Sequence, residues 1–299
     1  MANITAPLRP PAEGADRADL IPTRKMVRRS SLELLGNLTM REVRSQYKRT
    51  ALGRLWSFIN PLATIAIFSL VFGLIFEMKI APSRYSGVHV FALWLAAALL
   101  AWNFISGAVM GGMNALLNSA SLLSKVYFPR WIPVVATVLA MAVTFATELA
   151  VLLVIMAVWG GPKVLLMIPL LIILTVIVMA FVTGVALSLS IAVVYFRDTQ
   201  HFMALFIQIW FYLTPIIYPI DTVAHLQDRL GASGHPFPLG TLWGLNPAFR
   251  FTNAFRSMLY DFEAPKWEDW AGSIFWAAAA LGMGTLVFRK FSKRVVEEL

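Results

Sequence analysis

Long apolar runs alternate with short polar segments along most of the chain. Six of these runs are long enough to cross a bilayer as helices, because a span of the hydrocarbon core needs about 20 residues. The predicted spans cover about 59–77, 88–111, 131–159, 165–194, 201–220 and 271–288. The pattern predicts an all-α, polytopic membrane protein with six transmembrane helices, in a transmembrane domain over 57–290.

The segment before the first span is polar and basic. Residues 1–29 mix prolines with scattered charges, a composition that buries little apolar surface, so we predict a flexible cytoplasmic tail. Ser30 with Glu33 has the spacing of a capping box, which predicts that a helix starts there. The expected apolar face of that helix holds Leu32, Leu35, Met40, Val43 and Tyr47. Over 30–56 the pattern indicates an amphipathic interface helix on the membrane surface, with a cytosolic helix packed on a partner as the compatible alternative.

Two connections carry helical signals of their own. The segment 113–130 places Met113, Leu116 and Leu117 on one face of a short helix, and two prolines follow at 129 and 133. Such a segment suits either force transfer from a partner or an ordinary connection. The segment 221–265 contains a helix opened by Pro247 that is too short and too charged to span, which indicates an outward re-entrant segment.

Composition and charge agree with membrane insertion. The chain is 59% hydrophobic and 14% charged, whereas soluble domains carry about 45–50% apolar and about 25% charged residues. The net charge is +9, and the basic residues lie beside apolar runs. Anionic lipid headgroups are therefore a better explanation for this charge than a nucleic-acid partner. The absence of cysteine excludes disulfides and cysteine-based metal sites.

The distribution of basic residues predicts the orientation. Four segments hold 18 of the 25 lysines and arginines: the N-terminal segment, the 112–130 loop, the 195–200 turn and the C-terminal end from residue 289, which includes the predicted tail 291–299. Because basic residues are enriched on the cytoplasmic side, both termini are predicted to be cytoplasmic, in a multi-pass protein of the inner membrane.

The sequence contains no motif for catalysis. It lacks a phosphate-binding loop, a nucleophile elbow and a zinc-binding helix, and its four histidines have no metal-ligand spacing. We therefore predict no catalytic residue, no metal site and no cofactor in this chain. Glu148 is the one clear ionisable group inside a span, so an ion gradient is a poor energy source. Glu148 either marks a permeation path or pairs with a neighbouring threonine or backbone group.

Aromatic residues recur at two places in the spans. Phe68, Phe72 and Phe76 repeat every four residues in the first span, and Trp210, Phe211 and Tyr212 are consecutive in the fifth. Packing or lipid contact explains such stripes in most proteins. The alternative is a channel lining, because the C–H faces of sugars stack on aromatic rings.

Several motifs together resemble one transporter family. They are YKRTALGRLW over 47–56 with Pro61, KVYFPR over 125–130 with Pro133, YFRD over 195–198, TPIIY over 214–218, and Asn246-Pro247 with Phe255-Arg256. With these motifs the chain, over about 30–295, resembles the membrane subunit of ABC exporters of polysaccharides and polyol phosphates, the ABC-2 type group that exports O antigen, capsule, teichoic acid and cell-wall galactan.

The resemblance implies a homodimer paired with two copies of a separate ATPase, which binds ATP and Mg²⁺. A lipid-linked polysaccharide would pass through a channel at the dimer interface. Within the family, the chain looks most like exporters of cell-wall galactan-type polymers. Channel aromatics would be Phe68, Phe72, Phe76, Trp210 and Tyr212. Lipid-phosphate contacts would be Arg41, Arg44, Lys48, Arg49 and Arg54. Coupling contacts with the ATPase would be Leu116, Leu117, Ser119, Leu122, Leu123 and Lys125.

Two other functions fit parts of the same pattern. An ABC-2 type permease for small amphiphiles or drugs would have the same fold, and small apolar compounds would stimulate its ATPase. A gradient-driven carrier would need inverted repeats or several buried acids, and neither is evident in the sequence.

Overall fold

The computed structural model describes residues 24–45, 53–78, 80, 83, 85, 87–123, 125, 128–219 and 243–292, without the side chains of 24–30, 54, 57, 58, 60 and 61. These residues form helices and connecting turns, with no β-strand among them. The predicted all-α class is confirmed for this part of the chain. Of the predicted tail over 1–29, residues 24–29 are helical and residues 1–23 lie outside the described residues, as does the segment 220–242.

The described residues form nine α-helices. They are α1 (Arg24–Ser45), α2 (Trp56–Phe68), α3 (Phe91–Asn118), α4 (Ala120–Leu123), α5 (Trp131–Gly160), α6 (Ile168–Tyr195), α7 (Thr199–Leu213), α8 (Pro247–Arg256) and α9 (Trp267–Phe291). Short 3₁₀ turns cover Gly53–Leu55 and Pro162–Met167. π-helical turns continue α2 over Ser69–Ile75 and α8 over Ser257–Asp261.

Four helices are long and apolar enough to cross a membrane. They are α3, α5, α6 with its preceding 3₁₀ turn, and α9. Several such helices in one chain support the predicted multi-pass membrane protein. The apolar helix that begins with α2 and the 15-residue α7 are shorter than this group, so the count of six spans stays a prediction.

The first helix differs from its predicted form. It begins at Arg24, so Ser30 lies inside the helix and is not its N-terminal cap. Arginine, lysine and methionine are good helix formers, and they extend the helix backwards from Ser30. Leu32 and Met40 are at least half exposed, whereas Val43 is buried and α1 packs along α5. Sequence periodicity therefore identified the helix but only part of its packed face.

The second long helix continues past its predicted end. The second span was predicted to end at about residue 111, yet α3 runs to Asn118. A Cβ atom on Gly112 would lie 2.6 Å from the Cβ of Ala186 in α6. Gly112 therefore permits close helix packing, as small residues do in membrane interfaces, and does not end the helix.

The core is organised around α3. Most of α3 is buried, and the helix packs against α2, α5, α6, α7 and α8. The largest interface between two helices joins α6 and α9. The helix opened by Pro247 buries Phe251, Phe255, Met258 and Leu259, as its sequence pattern predicts. The core thus holds α8 firmly, although α8 is too short to span.

Candidate functional site

A row of phenylalanine side chains runs along α2 and its π-helical continuation. The ring centroids of Phe68 and Phe72 are 5.9 Å apart, and those of Phe72 and Phe76 are 5.7 Å apart. Both distances lie in the range at which aromatic rings attract each other. Residues four apart share a helix face, so the three residues predicted from the first span form one continuous row.

Phe211 of α7 joins this row to the second predicted aromatic group. Its ring lies 6.2 Å from Phe68 and 5.2 Å from Tyr212. Trp102 of α3 lies 5.6 Å from Phe211 and 5.4 Å from Trp210. Within this connected cluster we call seven residues the aromatic ridge: Phe68, Phe72, Phe76, Trp102, Trp210, Phe211 and Tyr212. The structure thus brings all five predicted channel aromatics together.

The ridge has a buried centre and two exposed ends. Phe76 is 66% exposed and Tyr212 is 59% exposed, whereas Trp102 is buried. The sequence prediction leaves out Trp102, because this residue lies in a continuous run of alanine and leucine without polar alternation. No local signal indicates that its ring contacts α7.

One end of α7 is attached to α8 through Asn246. The side-chain oxygen of Asn246 accepts hydrogen bonds from the backbone N–H of Ala248, at 3.0 Å, and from Nε1 of Trp210, at 2.8 Å. Its Nδ2 donates to Oγ1 of Thr214 at 3.0 Å. Asn246 is therefore the N-terminal cap of α8, with Pro247 in the first turn. The same side chain fixes the start of α8 against the end of α7.

Arg256, in the last turn of α8, makes a second attachment to the same end of α7. This side chain is buried, and it donates to the carbonyl oxygens of Pro215, at 3.1 Å, and Ile216, at 2.8 Å. Its guanidinium carbon lies 3.8 Å from the ring centroid of Trp94 in α3. The arginine therefore links α8, α3 and the segment after α7.

An ion pair joins α8 to the start of α9. NH1 of Arg250 lies 2.9 Å from Oδ1 of Asp269, and Nδ2 of Asn253 donates to the other carboxylate oxygen at 2.9 Å. Nε of Arg250 also donates to the carbonyl of Gly244 at 2.8 Å. Because Asp269 is buried, these charge-assisted bonds hold α8 rigidly on α9.

Another set of contacts lies at the opposite helix ends. Nε2 of Gln200, at the start of α7, donates to Oδ1 of Asn114, near the end of α3, at 2.6 Å. Arg130, just before α5, donates to the carbonyl oxygen of Ser292, just after α9. These contacts therefore join the start of α7 to the end of α3, and the start of α5 to the end of α9.

The start of α3 lies on the same side of the structure as α8, to which a hydrogen bond joins it. The hydroxyl of Tyr260 donates to the carbonyl of Val88 at 2.6 Å, three residues before α3 begins. The end of α7, the helix α8 and the starts of α3 and α9 thus share polar contacts. Successive long helices run between two groups of contacts, as expected when a chain crosses a membrane repeatedly.

The predicted phosphate-contact residues are only partly described. Arg41 and Arg44 are exposed on α1. Lys48 and Arg49 lie outside the described residues, as does the side chain of Arg54 in the 3₁₀ turn. The structure therefore leaves two arginines accessible and does not test whether the five residues form one patch.

The predicted coupling residues divide into buried and accessible groups. Leu116 and Leu123 are buried in the core, whereas Leu117, Ser119 and Leu122 are half-buried. Lys125 is exposed after the four-residue helix α4. Within this predicted group, Lys125 presents the most accessible side chain for a partner.

Neither Glu148 nor the described acidic and histidine side chains form a binding site. Glu148 is half-buried in the middle of α5, and no hydrogen bond or ion pair joins it to another described residue. Of the two alternatives for Glu148, pairing with a neighbouring threonine or backbone group is therefore not observed. Within the described ranges, no three acidic or histidine side chains are grouped to hold a metal ion.

Comparisons with known proteins identify similar sequences. The sequence model for ABC-2 type transporters matches residues 33–228. An O-antigen export system permease protein RfbA of Myxococcus xanthus is 27% identical over 237 residues, which cover 79% of this chain and 83% of that protein. A protein of the same name from Klebsiella pneumoniae is 29% identical over 194 residues, covering 64% of this chain and 71% of that protein.

Proposed function

The chain belongs to the ABC-2 type transporter family, and from this membership we propose that it is the transmembrane subunit of an ATP-driven exporter of a lipid-linked polysaccharide. The observation that carries the proposal is the similarity to O-antigen export permeases over 79% of the chain. O antigen is a polysaccharide, and a polymer of the galactan type is the substrate that we propose for this transporter.

The aromatic ridge is the proposed channel lining. Aromatic faces suit sugar rings, and Phe76 and Tyr212 present theirs at the surface. Next to the ridge, α7 exposes a second apolar stripe that includes Phe202, Leu205 and Ile209. A homodimer that brings α2 and α7 of two copies together would cover this stripe and place two ridges around one channel.

Six spans and an outward re-entrant segment are part of the proposal. The first span would be α2 with its π-helical continuation, about 20 residues and thus about the thickness of the hydrocarbon core. The fifth would be α7, whose Gln200 bonds to the end of α3 and whose Trp210 bonds to Asn246 at the other end. The polar attachments of α8 to α7 and α9 are consistent with a re-entrant helix covered by protein.

The proposed orientation places both termini and the 113–130 coupling segment in the cytoplasm. The chain would lie in the cytoplasmic membrane with two copies of a separate ATPase, which would bind ATP and Mg²⁺. Arg41, Arg44 and the neighbouring basic residues would contact lipid phosphate, because guanidinium groups bind phosphate oxygens in bidentate geometry. The residues before α1 and those after α9 would lie in the cytoplasm.

Reconstitution tests the function directly. The subunit and its ATPase partner are placed in proteoliposomes, and ATP hydrolysis is measured with a lipid-linked polysaccharide or with small apolar compounds. We expect stimulation by the glycan alone. Stimulation by small amphiphiles alone would instead identify a permease for such compounds. Transport by this subunit alone, driven by an ion gradient, would contradict the ABC exporter proposal.

Charge reversal on α1 should impair export. In the variant with Arg41→Glu, Arg44→Glu and Lys48→Glu, lost phosphate contacts should reduce glycan export by about tenfold or more, the effect of losing one charge-assisted hydrogen bond. Export is measured per folded complex in the membrane. Normal export in this variant would rule out a phosphate-guiding role for these residues.

Lys125 should contribute to ATPase association. A Lys125→Glu variant should bind the ATPase roughly two- to fivefold more weakly, as expected for a surface ion pair. Lys163→Glu is the matched control, because Lys163 is also exposed but lies in the 3₁₀ turn after α5, at the opposite end of that helix. Association is measured by co-purification at increasing salt. An equal effect of the two substitutions would argue against the coupling assignment.

Tyr212 should affect glycan passage. Tyr212→Leu preserves an apolar side chain but removes the ring, and the lost stacking should reduce the export rate roughly two- to tenfold. Phe275→Leu in α9 is the control, because Phe275 is similarly exposed but lies outside the aromatic ridge. If both variants export at the wild-type rate, Tyr212 does not line the path.

A further inference from the structure

A groove of about 890 Å³ separates α7 from α9. Along α7 its wall is formed by Met203, Phe206, Trp210 and Leu213. This spacing follows one helical face for about 15 Å, at a rise of about 1.5 Å per residue. The facing wall on α9 includes Trp276, Ala280 and Met283. We call this feature the lateral groove.

The lateral groove is closed on one side and open on the other. Its floor includes Val109 of α3 and Phe181 of α6, both buried. Its rim includes Phe206, Leu213 and Met283, which are 43%, 55% and 63% exposed. Because α3, α6 and α9 are long and apolar enough to cross a membrane, we expect this open side to face the hydrocarbon of the bilayer.

Polar ligands have little to bind along the groove. Asn246 reaches the lining, but its oxygen accepts from Trp210 and Ala248 and its amide donates to Thr214. The rest of the described lining is aliphatic, aromatic or thioether in character. Water does not fill an apolar space stably, and a sugar would lose hydrogen bonds there. The chemistry therefore fits a hydrocarbon chain.

One lining residue has a buried hydrogen-bond donor. The Nε1–H of Trp243 makes no hydrogen bond of good geometry, and the hydroxyl of Tyr218 is its polar neighbour. That hydroxyl instead donates to the carbonyl of Tyr212 at 2.9 Å. Tryptophan commonly lies where lipid chains meet headgroups, with its N–H toward a polar acceptor.

From these observations we propose that the lateral groove binds one acyl chain of a membrane phospholipid, with Trp243 donating to an ester oxygen of that lipid. The wall on α7 is about 15 Å long, which is half the thickness of a hydrocarbon core of about 30 Å and thus the depth of one leaflet. The groove lies within one chain and has its own floor, so it needs no second copy to be complete. The inference is independent of which molecule the transporter exports.

Tightly bound lipid provides the test. The transporter complex is purified in detergent, and phospholipid retained per chain is measured by native mass spectrometry. Ala279→Trp would fill the groove, so about a tenfold loss of retained lipid is expected for a blocked site. Ala278→Trp is the control, because Ala278 is exposed on the same helix but does not line the groove. It should retain lipid as the wild type does.

Two further variants keep the test decisive if the filled groove does not fold. Trp243→Phe keeps the ring and removes the donor, and it should lower lipid retention by roughly threefold to tenfold, the loss of one hydrogen bond. The chain has no cysteine, so Ala279→Cys introduces one at a known position. Disulfide cross-linking between two copies at this position reports whether a second copy fills the groove. Unchanged lipid retention in both Ala279→Trp and Trp243→Phe would overturn the proposal, as would efficient cross-linking at 279.

Discussion

Arg256→Met is expected to lower the free energy of unfolding by about 3 kcal/mol. The substitution leaves the carbonyls of Pro215 and Ile216 without their partner, and an unsatisfied buried group costs about 1–3 kcal/mol. It also removes the cation–π contact with Trp94. Relief from burying a guanidinium offsets part of this loss, so the net effect is smaller than the sum of the lost contacts.

Thermal unfolding at a fixed scan rate measures this effect, since membrane complexes often unfold irreversibly. Arg289→Met, at the exposed end of α9, is the matched control and should unfold at the wild-type temperature. A double-mutant cycle with Trp94→Leu then isolates the ring contact. A thermal midpoint unchanged from the wild type in Arg256→Met would show that Arg256 does not hold α8 to α7.

Alanine is expected to have opposite effects at two glycines of α9. A Cβ atom on Gly284 would collide with the backbone of Gly184 in α6, whereas a Cβ atom on Gly282 would have no neighbour within 4 Å. Gly284→Ala should therefore cost about 2 kcal/mol by forcing the two helices apart. Gly282→Ala should raise stability by up to about 1 kcal/mol, because alanine favours a helix over glycine.

The measurement is again the midpoint of thermal unfolding, with the two variants compared in the same detergent. A reciprocal Gly184→Ala variant should resemble Gly284→Ala, because an added Cβ there would meet the backbone of Ala280. If Gly284→Ala and Gly282→Ala shift the midpoint equally and in the same direction, α6 and α9 do not approach each other this closely.

Sequence pattern predicted the helices better than their contacts. A bilayer allows an apolar segment only if its backbone groups bond internally, so a long apolar run is sufficient to predict a helix. The break at Gly160–Pro162 and the helix opened by Pro247 follow from local backbone chemistry and are observed. The predicted end of the second span at residue 111 was wrong, since Gly111 and Gly112 lie inside α3 and pack against neighbouring helices.

In the candidate site, too, the sequence predicted local features but not the contacts between distant residues. Repeats of aromatic residues identified Phe68, Phe72 and Phe76, but the contact of Phe211 with Phe68 joins positions that are far apart in the chain. The role of Arg256 could not be predicted, because its acceptors are carbonyls about 40 residues earlier in the chain. Backbone acceptors carry no signature in the sequence.

The sequence by itself thus determined the all-helical class, the membrane environment and the positions of most helices, because these depend on hydropathy and local backbone preferences. Only the tertiary structure decided which faces meet: which glycine of α9 touches α6, where the aromatic ridge is continuous, and where α7 and α9 leave a groove. Those features depend on distances between side chains that are remote in sequence, and in a chain so uniformly apolar, hydropathy does not distinguish a face that packs on a helix from one that packs on lipid.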